Sequence, residues 1–345
     1  MSKEKIIFIY PKLFTFIQTE IKLLSESYEV LHVNQKWTNK YLLPFNFLRQ
    51  FLFLITNLSK VNKILISFGG YSSYLPSLMG RYFNKKVAIV VHGTDCVSFP
   101  EINYGSLRSP IMKWFIHRSY NLADIILPVS KSLVATNNTY YSEQVLQFGY
   151  DNHLSDITTP HKVIPNGLII EDWNPKSITK VYKTFVTVMT NDQVDRKGGR
   201  LIIEAAKMMP DCTFYFAGID SIKNIETPEN IILLGRLSPI ELMKLYSKTQ
   251  FYLQLSNFEG FGVAICEAML CQCVPIVSDV NFLPSIIEDT GFILKKRNKE
   301  MLVELIKSSL DSDLTKLSFS ARKRIIDHFS VQNRQKILIK TLKDL

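Results

Sequence analysis

The 345-residue sequence predicts an α/β fold built from doubly wound parallel sheets in two domains. Three observations carry this. Short apolar runs alternate with helical segments along almost the whole chain. Within those runs hydrophobicity is continuous rather than every other residue, the pattern of strands covered on both faces. The length exceeds one ordinary core and fits two.

In order, residues 5–10 (KIIFIY) predict a first strand, 19–27 a helix, 28–33 a second strand and 45–58 an apolar helix. Residues 63–68 (KILISF), 87–91 (VAIVV) and 124–129 (DIILPV) are further strands between helical segments. Asn166-Gly167 is a turn signal, and the polar stretch after it runs to Pro175. We place the domain boundary there: residues 1–175 form the first domain and 176–330 the second, with 331–345 a terminal helix. The second half repeats the alternation: strands at 184–189, 212–217 and 231–234, helices at 198–208 and 239–247, then a helical tail from Glu300. No fixed-period repeat or low-complexity tract interrupts it.

Composition narrows the class. Hydrophobic content of 46% and charge of 21% are globular values. Five cysteines in no even framework, with no signal peptide, point to a reducing cytosol. Cys271 and Cys273 lack a second ligand pair and read as small buried residues. Residues 1–170 hold 17 Lys/Arg against 10 Asp/Glu, so most of the net charge of +10 lies in the first half. That balance favours an anionic surface; without a zinc finger, RNA-binding aromatics or a long basic run, nucleic acid is not the expected partner. The apolar segment 41–58 is marginal for a membrane span, with Arg49 at its centre. A helix buried against a sheet is its default reading. An interfacial helix touching the inner membrane face is the alternative, making the protein peripheral there.

The most informative stretch is 256–275 (SNFEGFGVAICEAMLCQCVP). A strand at 250–255 precedes it, and another at 274–278 follows the helix that its glycine loop opens. Strand, glycine loop and helix offer backbone N–H groups and a positive dipole end to an anion. Glu259 in that loop would repel phosphate, and fits a hydroxyl acceptor better. Glu267 lies about two helical turns on. Two acids of this kind suit a ligand with two diols joined by phosphates, which describes a nucleotide sugar.

Glu259-Gly260-Phe261-Gly262 followed by Glu267-Ala268 resembles the E-x7-E motif of retaining GT-B-fold glycosyltransferases, family 4 (glycosyl transferases group 1). The stretch V-I-P-N-G-L…W-N-P is similar to that family's interdomain linker. The resemblance implies two Rossmann-like domains facing across a cleft, with the last helix crossing back to the first domain. It implies a sugar moved from a nucleotide diphosphate donor to a saccharide or lipid-linked acceptor, in cell-surface polysaccharide or glycolipid synthesis, with retained anomeric configuration. Glu267 would then hold the ribose diol, and Glu259 with the backbone of Gly260, Phe261 and Gly262 the sugar hydroxyls. Arg196-Lys197 sits before a helix and supplies two fixed cations for the diphosphate. His92, in His92-Gly93-Thr94-Asp95, would lie beside the donor sugar in the interdomain cleft. No metal or cofactor is expected: Asp311-Ser312-Asp313 spells D-x-D but falls between two helices, where capping explains it.

There are departures. Asn191-Asp192 stands where relatives often carry an Arg, and Pro11–Ile17 lacks the glycines common after the first strand. Gln272 replaces a usual Gly, for which close backbone packing is the expected reason. The aromatic loop at 99–105 (FPEINYG) reads equally as a sugar platform or as loop packing. Two other readings stay open: a non-catalytic nucleotide-sugar-binding protein, and a GT-B nucleotide-sugar epimerase.

Overall fold

In the computed structural model, residues 3–175, 177–222 and 225–345 are described, and the chain divides into two compact units. Unit 1 comprises Met1–Thr136, Gln147–Pro165 and Gln332–Leu345; unit 2 comprises Asn137–Leu146 and Asn166–Val331. The division falls at Pro165, ten residues before the sequence boundary, whose partner residue 176 lies outside the described residues. The excursion of Asn137–Leu146 into unit 2 carries no sequence signal that we can identify.

In unit 1, strand β1 (Glu4–Ile9) leads to helix α1 (Thr15–Ser25), then β2 (Tyr28–His32) and α2 (Leu43–Asn57). Next come β3 (Lys63–Ser67), α3 (Tyr71–Tyr82), β4 (Lys86–Val91), α4 (Pro110–Leu122) and β5 (Ile125–Pro128). The five strands are parallel in the order β2-β1-β3-β4-β5. Ile64, Leu65, Ile66, Ala88, Ile89 and Val91 are fully buried, so consecutive residues pack on opposite faces of one sheet. The short strands β6 (Thr136–Asn138) and β7 (Leu146–Phe148) carry the chain out of unit 1 and back, and a single helical turn α5 (Tyr150–His153) follows.

Unit 2 opens with β8 (Val181–Val188), α6 (Gly199–Lys207), β9 (Thr213–Ala217) and β10 (Ile231–Leu233). It continues with α7 (Pro239–Lys248), β11 (Thr249–Gln254), α8 (Val263–Leu270), β12 (Val274–Ser278), α9 (Leu283–Ile287) and β13 (Phe292–Leu294). Helices α10 (Lys299–Leu310) and α11 (Leu314–His328) end the unit, and α12 (Val331–Asp344) belongs almost wholly to unit 1. The six parallel strands run β10-β9-β8-β11-β12-β13. Phe185 lies stacked between Phe214 at 4.9 Å and Phe251 at 5.0 Å, tying the central strands together. Asp313 of the D-x-D spelling caps α11, its Oδ1 accepting from the Lys316 N–H at 3.0 Å.

Within unit 1, α12 is anchored by a buried ion pair. Arg334 donates from Nε and Nη2 to both oxygens of Glu20 at 2.9 Å, and from Nη1 to the Ile164 and Pro165 carbonyls at 3.0 Å. With all these donors and both carboxylate oxygens engaged, the cost of desolvating the pair is offset.

Two expectations change. Helix α2 buries only part of its apolar side: Leu54 faces the protein together with Asn46 and Gln50, while Phe45, Leu48, Leu52 and Ile55 are exposed. The polar pair is drawn in by backbone partners: Asn46 Nδ2 donates to Lys36 O at 2.9 Å, and Gln50 Nε2 to Ser72 O at 2.9 Å. At Gln272 the reason for a glycine is conformational rather than close packing. Its φ is +61°, and it follows the α8 C-cap in a Schellman turn, with Cys273 N–H on Ala268 O at 3.0 Å and Gln272 N–H on Met269 O at 2.9 Å. A non-glycine side chain in this left-handed region costs about 1 kcal/mol. Gln272→Gly is therefore expected to stabilise the protein by roughly that amount, read as a higher denaturation midpoint in urea at unchanged slope.

Candidate functional site

In unit 2 the strand order reverses between β8 and β11, the two neighbours whose helices run to opposite ends of the sheet order. The loops leaving the carboxyl ends of such a pair define the crevice where open α/β sheets bind ligands. Here they carry Arg196-Lys197 and Glu259-Gly260-Phe261-Gly262. The loops are fastened to each other: Asn257 N–H donates to Arg196 O at 2.7 Å, and Asn257 Nδ2 to Asp195 O at 2.7 Å. Asn138, on the excursion of residues 137–146, donates from Nδ2 to Asn257 O at 2.8 Å. Gly198 has φ +73°, and a Cβ there would stand 2.2 Å from Leu255 O, so only glycine allows this approach.

The charged groups are thereby held together. Arg196 Nη1 lies 3.6 Å from Glu259 Oε2 and donates to Phe258 O at 3.2 Å. The same Glu259 oxygen accepts from Gln254 Nε2 at 3.0 Å and Ser256 Oγ at 3.3 Å. Asn281 Oδ1 receives the Glu259 N–H at 3.1 Å, fixing the loop's backbone. Lys197 Nζ donates to Val188 O, at the last residue of β8, at 3.0 Å. Burial lowers the Lys197 pKa, opposed by Glu259 and Glu267 and reinforced by Arg196.

Gly262, with φ +110°, is the N-cap of α8, whose first turn leaves backbone N–H groups unsatisfied within the helix. The Phe261 ring is buried against Phe282 at 5.8 Å and Phe329 at 5.6 Å, so only its backbone is available. Glu267 lies on the second turn of α8. Its carboxyl makes no hydrogen bond among the described residues, and burial pushes its pKa up to about 8 against the pull of Lys197.

In unit 1, His92 follows β4. Its Nε2 hydrogen-bonds Ser67 Oγ at 2.8 Å, and the ring packs on Phe68 at 4.3 Å and Phe16 at 5.2 Å. Burial, and secondarily the Arg334 charge, brings its pKa down to about 3, so the imidazole is neutral at pH 7. Asp95 secures the loop: it accepts from His92 N–H at 3.2 Å, Gly93 N–H at 3.0 Å, Gly69 N–H at 2.9 Å and Tyr120 Oη at 3.3 Å. The glycine-free loop after β1 puts aromatic rings, Phe14 and Phe16 stacked at 5.4 Å, on this side of the sheet. Phe99 is fully buried against Phe148 at 4.8 Å, which settles the 99–105 loop as packing at that residue.

Sequence reasoning named Arg196, Lys197, Glu259, Gly260, Phe261, Gly262 and Glu267, which share one edge of unit 2, and His92, which belongs to unit 1. It missed Gln254, Ser256, Asn257 and Asn281, the groups that orient Glu259 and its loop, and Ser67, the partner of His92. Gln254 left a signal, a polar residue at the end of an apolar strand that could have been read as site-facing.

Residues 171–327 match the family described as Glycosyl transferases group 1. The chain is 23% identical over 253 residues to an N-acetylgalactosamine-N,N'-diacetylbacillosaminyl-diphospho-undecaprenol 4-alpha-N-acetylgalactosaminyltransferase of Campylobacter jejuni, covering 69% of this chain and 64% of that protein. It is 27% identical over 211 residues to the alpha-galactosylglucosyldiacylglycerol synthase of Streptococcus pneumoniae, covering 53% of each. The chain thus spans less than two thirds of these relatives' lengths. Among solved structures, sucrose-phosphate synthase from Thermosynechococcus elongatus superposes with a TM-score of 0.75 at 13% identity over 99% of both chains. HepE from Anabaena, in complex with UDP, gives 0.70 at 14% identity over 99% of this chain and 100% of that one. The fold is that of GT-B glycosyltransferases.

The raised Glu267 pKa sets a pH test. Between its unfolded value near 4.5 and about 8, the folded protein holds a proton that the unfolded chain releases. Its contribution to stability is therefore full below the unfolded value and falls as pH rises through this window, by at most ~1.4 kcal/mol per pH unit. Glu267→Gln removes the titration. The variant should gain on the wild type in melting temperature between pH 5 and pH 8, and parallel pH profiles would contradict the assignment.

Proposed function

We propose that the chain is a retaining glycosyltransferase that uses a nucleotide diphosphate sugar and a saccharide or lipid-linked acceptor. The observation that carries this reading is the placement of two cations and the Glu259 carboxylate on the fastened loops at the β8/β11 crevice, beside the N-terminus of α8 and its Glu267. Glu267, lacking a hydrogen bond among the described residues, takes the ribose diol. Arg196 and Lys197 take the diphosphate. Glu259, its Oε2 already oriented by Gln254, Ser256 and Arg196, takes sugar hydroxyls through its other oxygen, helped by the backbone of Gly260, Phe261 and Gly262. His92 is a neutral hydrogen-bonding imidazole, suited to a sugar hydroxyl and unable to serve as a cation. The names of relatives that act on diphospho-undecaprenol- and diacylglycerol-linked sugars favour a lipid-linked acceptor, for glycolipid or surface polysaccharide synthesis.

In the chemistry proposed, the acceptor oxygen bonds to the anomeric carbon on the face from which the phosphate oxygen departs, so configuration is retained. The acceptor proton passes to that phosphate oxygen, and no carboxylate nucleophile is needed. Arg196 and Lys197 stabilise the charge that grows on the diphosphate, the largest electrostatic demand of the step.

Incubation with UDP-, GDP- and ADP-sugars tests the reading directly. Release of nucleoside diphosphate, accelerated by an acceptor glycolipid, is expected; an altered sugar would mean an epimerase, and unchanged donor a binding protein.

The roles are separable by calorimetry. Glu267→Ala should weaken both nucleoside diphosphate and nucleotide sugar by about 0.5–1.5 kcal/mol per hydrogen bond lost, whereas Glu259→Ala should weaken chiefly the nucleotide sugar. Equal losses for both ligands in both variants would refute the division.

Since fixed cations already meet the diphosphate, turnover should survive EDTA. Loss of activity restored by magnesium or manganese would show that Arg196 and Lys197 do not suffice.

A further inference from the structure

We propose that the outer face of α2, continued by that of α4, is a docking surface for an anionic lipid bilayer. The inner face of α2 mixes Asn46 and Gln50 with Leu54, and much of its apolar surface is turned outward. Asn46 and Gln50 are 5% and 0% exposed, while Phe45, Leu48, Leu52 and Ile55 are 62%, 57%, 55% and 51% exposed. These four recur at spacings of three and four, so they form one stripe along the helix. A contiguous apolar stripe turned to solvent costs free energy that a soluble surface ordinarily avoids, and its regular spacing marks a binding face.

The neighbouring helix extends it. Phe47 of α2 stacks with Phe115 of α4 at 5.9 Å, and on α4 Ile111 and Trp114 are exposed by 63% and 46%. Trp114 packs beside Tyr74 of α3 at 5.3 Å and carries the Arg118 guanidinium 5.8 Å from its ring. Aromatic rings flanked by cations are the side chains that settle at the headgroup level of a membrane.

Charge selects the occupant. Helices α2, α3 and α4 contain Arg49, Arg81, Lys113 and Arg118 and no Asp or Glu. From residue 31 to 123 the chain has 11 Lys/Arg against 2 Asp/Glu, nearly all of its net charge of +10. Of those two acids, Asp95 is buried in the His92 loop. A protein partner with an apolar patch would match the stripe alone; an anionic bilayer matches the stripe and the missing acids together. Among the described residues no helix is long and apolar enough to cross a membrane, so α2 would lie along the surface. The proposal does not depend on sugar transfer.

The test is co-sedimentation of the whole protein with vesicles of phosphatidylcholine alone and with about 30% phosphatidylglycerol, at roughly 50 and 500 mM salt. Binding is expected only to the anionic vesicles, released by high salt, with a blue shift of Trp114 fluorescence that Trp114→Phe abolishes. Phe45→Ser/Leu52→Ser should lose about tenfold or more in partitioning. Arg49→Glu/Arg118→Glu should lose a similar factor, since each nearby cation is worth about fivefold. All four residues are exposed, and unchanged melting temperatures will confirm that the variants fold. No binding at low salt, equal binding to both vesicle types, or full binding by the Phe45/Leu52 variant would overturn the proposal. So would a concentration-dependent dimer, abolished by that variant, with no vesicle binding.

Discussion

The site depends on the contact between the loops that follow β8 and β11. Two parallel neighbouring strands whose connections diverge leave a gap at their carboxyl ends, and here that gap is closed at its base by backbone. Gly198 lies so close to Leu255 O that a Cβ would stand 2.2 Å away, and the Asn257 amide bridges to the other loop at 2.7 Å. Remove that approach and Arg196 loses its bond to Phe258 O and its 3.6 Å separation from Glu259. The charges are therefore placed by backbone geometry rather than by their own attraction. This matters because partly buried ion pairs seldom provide enough net free energy to organise a loop unaided.

The same economy governs unit 1. His92 is flanked by aromatic rings and a serine, and its loop is held by Asp95, whose carboxylate collects three backbone N–H groups. Burial raises the Asp95 pKa while those N–H groups oppose the rise. The carboxylate works as the anchor of a turn, and the imidazole stays neutral. Phe68, with φ +68°, is held in a sparsely populated conformation directly under that ring.

Much of this was legible in the sequence, and the reasons for the gaps are specific. Continuous apolar runs locate strands because parallel sheets are buried on both faces, which is why VAIVV and VPIVS read clearly. Glycine before a helix and an acid in its second turn likewise mark a loop–helix unit. Helix α2 was misread because composition reports how apolar a segment is, not which side turns inward. Asn46 and Gln50 are buried by backbone partners 10 and 22 residues away, outside the helix, which its own periodicity does not encode. Gln272 shows a related limit: the expected glycine was correctly noticed, but its cause was a left-handed turn rather than a tight contact. Ser67 and Asn281 were missed because their partners are 25 and 22 residues away.

The state of Glu267 has a consequence for how the proposed donor would be received. At pH 7 a carboxyl whose pKa is about 8 is largely protonated, so it adds little negative charge to the crevice. Arg196 and the buried Lys197 then face one carboxylate, that of Glu259, rather than two. Burial weakens the hold of Lys197 on its proton, and a second full negative charge in its place would have favoured that proton more strongly. The balance leaves surplus positive potential for the diphosphate of the proposed donor. A protonated carboxyl can still donate one hydrogen bond and accept another, which suits the two hydroxyls of a ribose. On the proposed reading, a neutral Glu267 would meet the diol without repelling the phosphates attached to it.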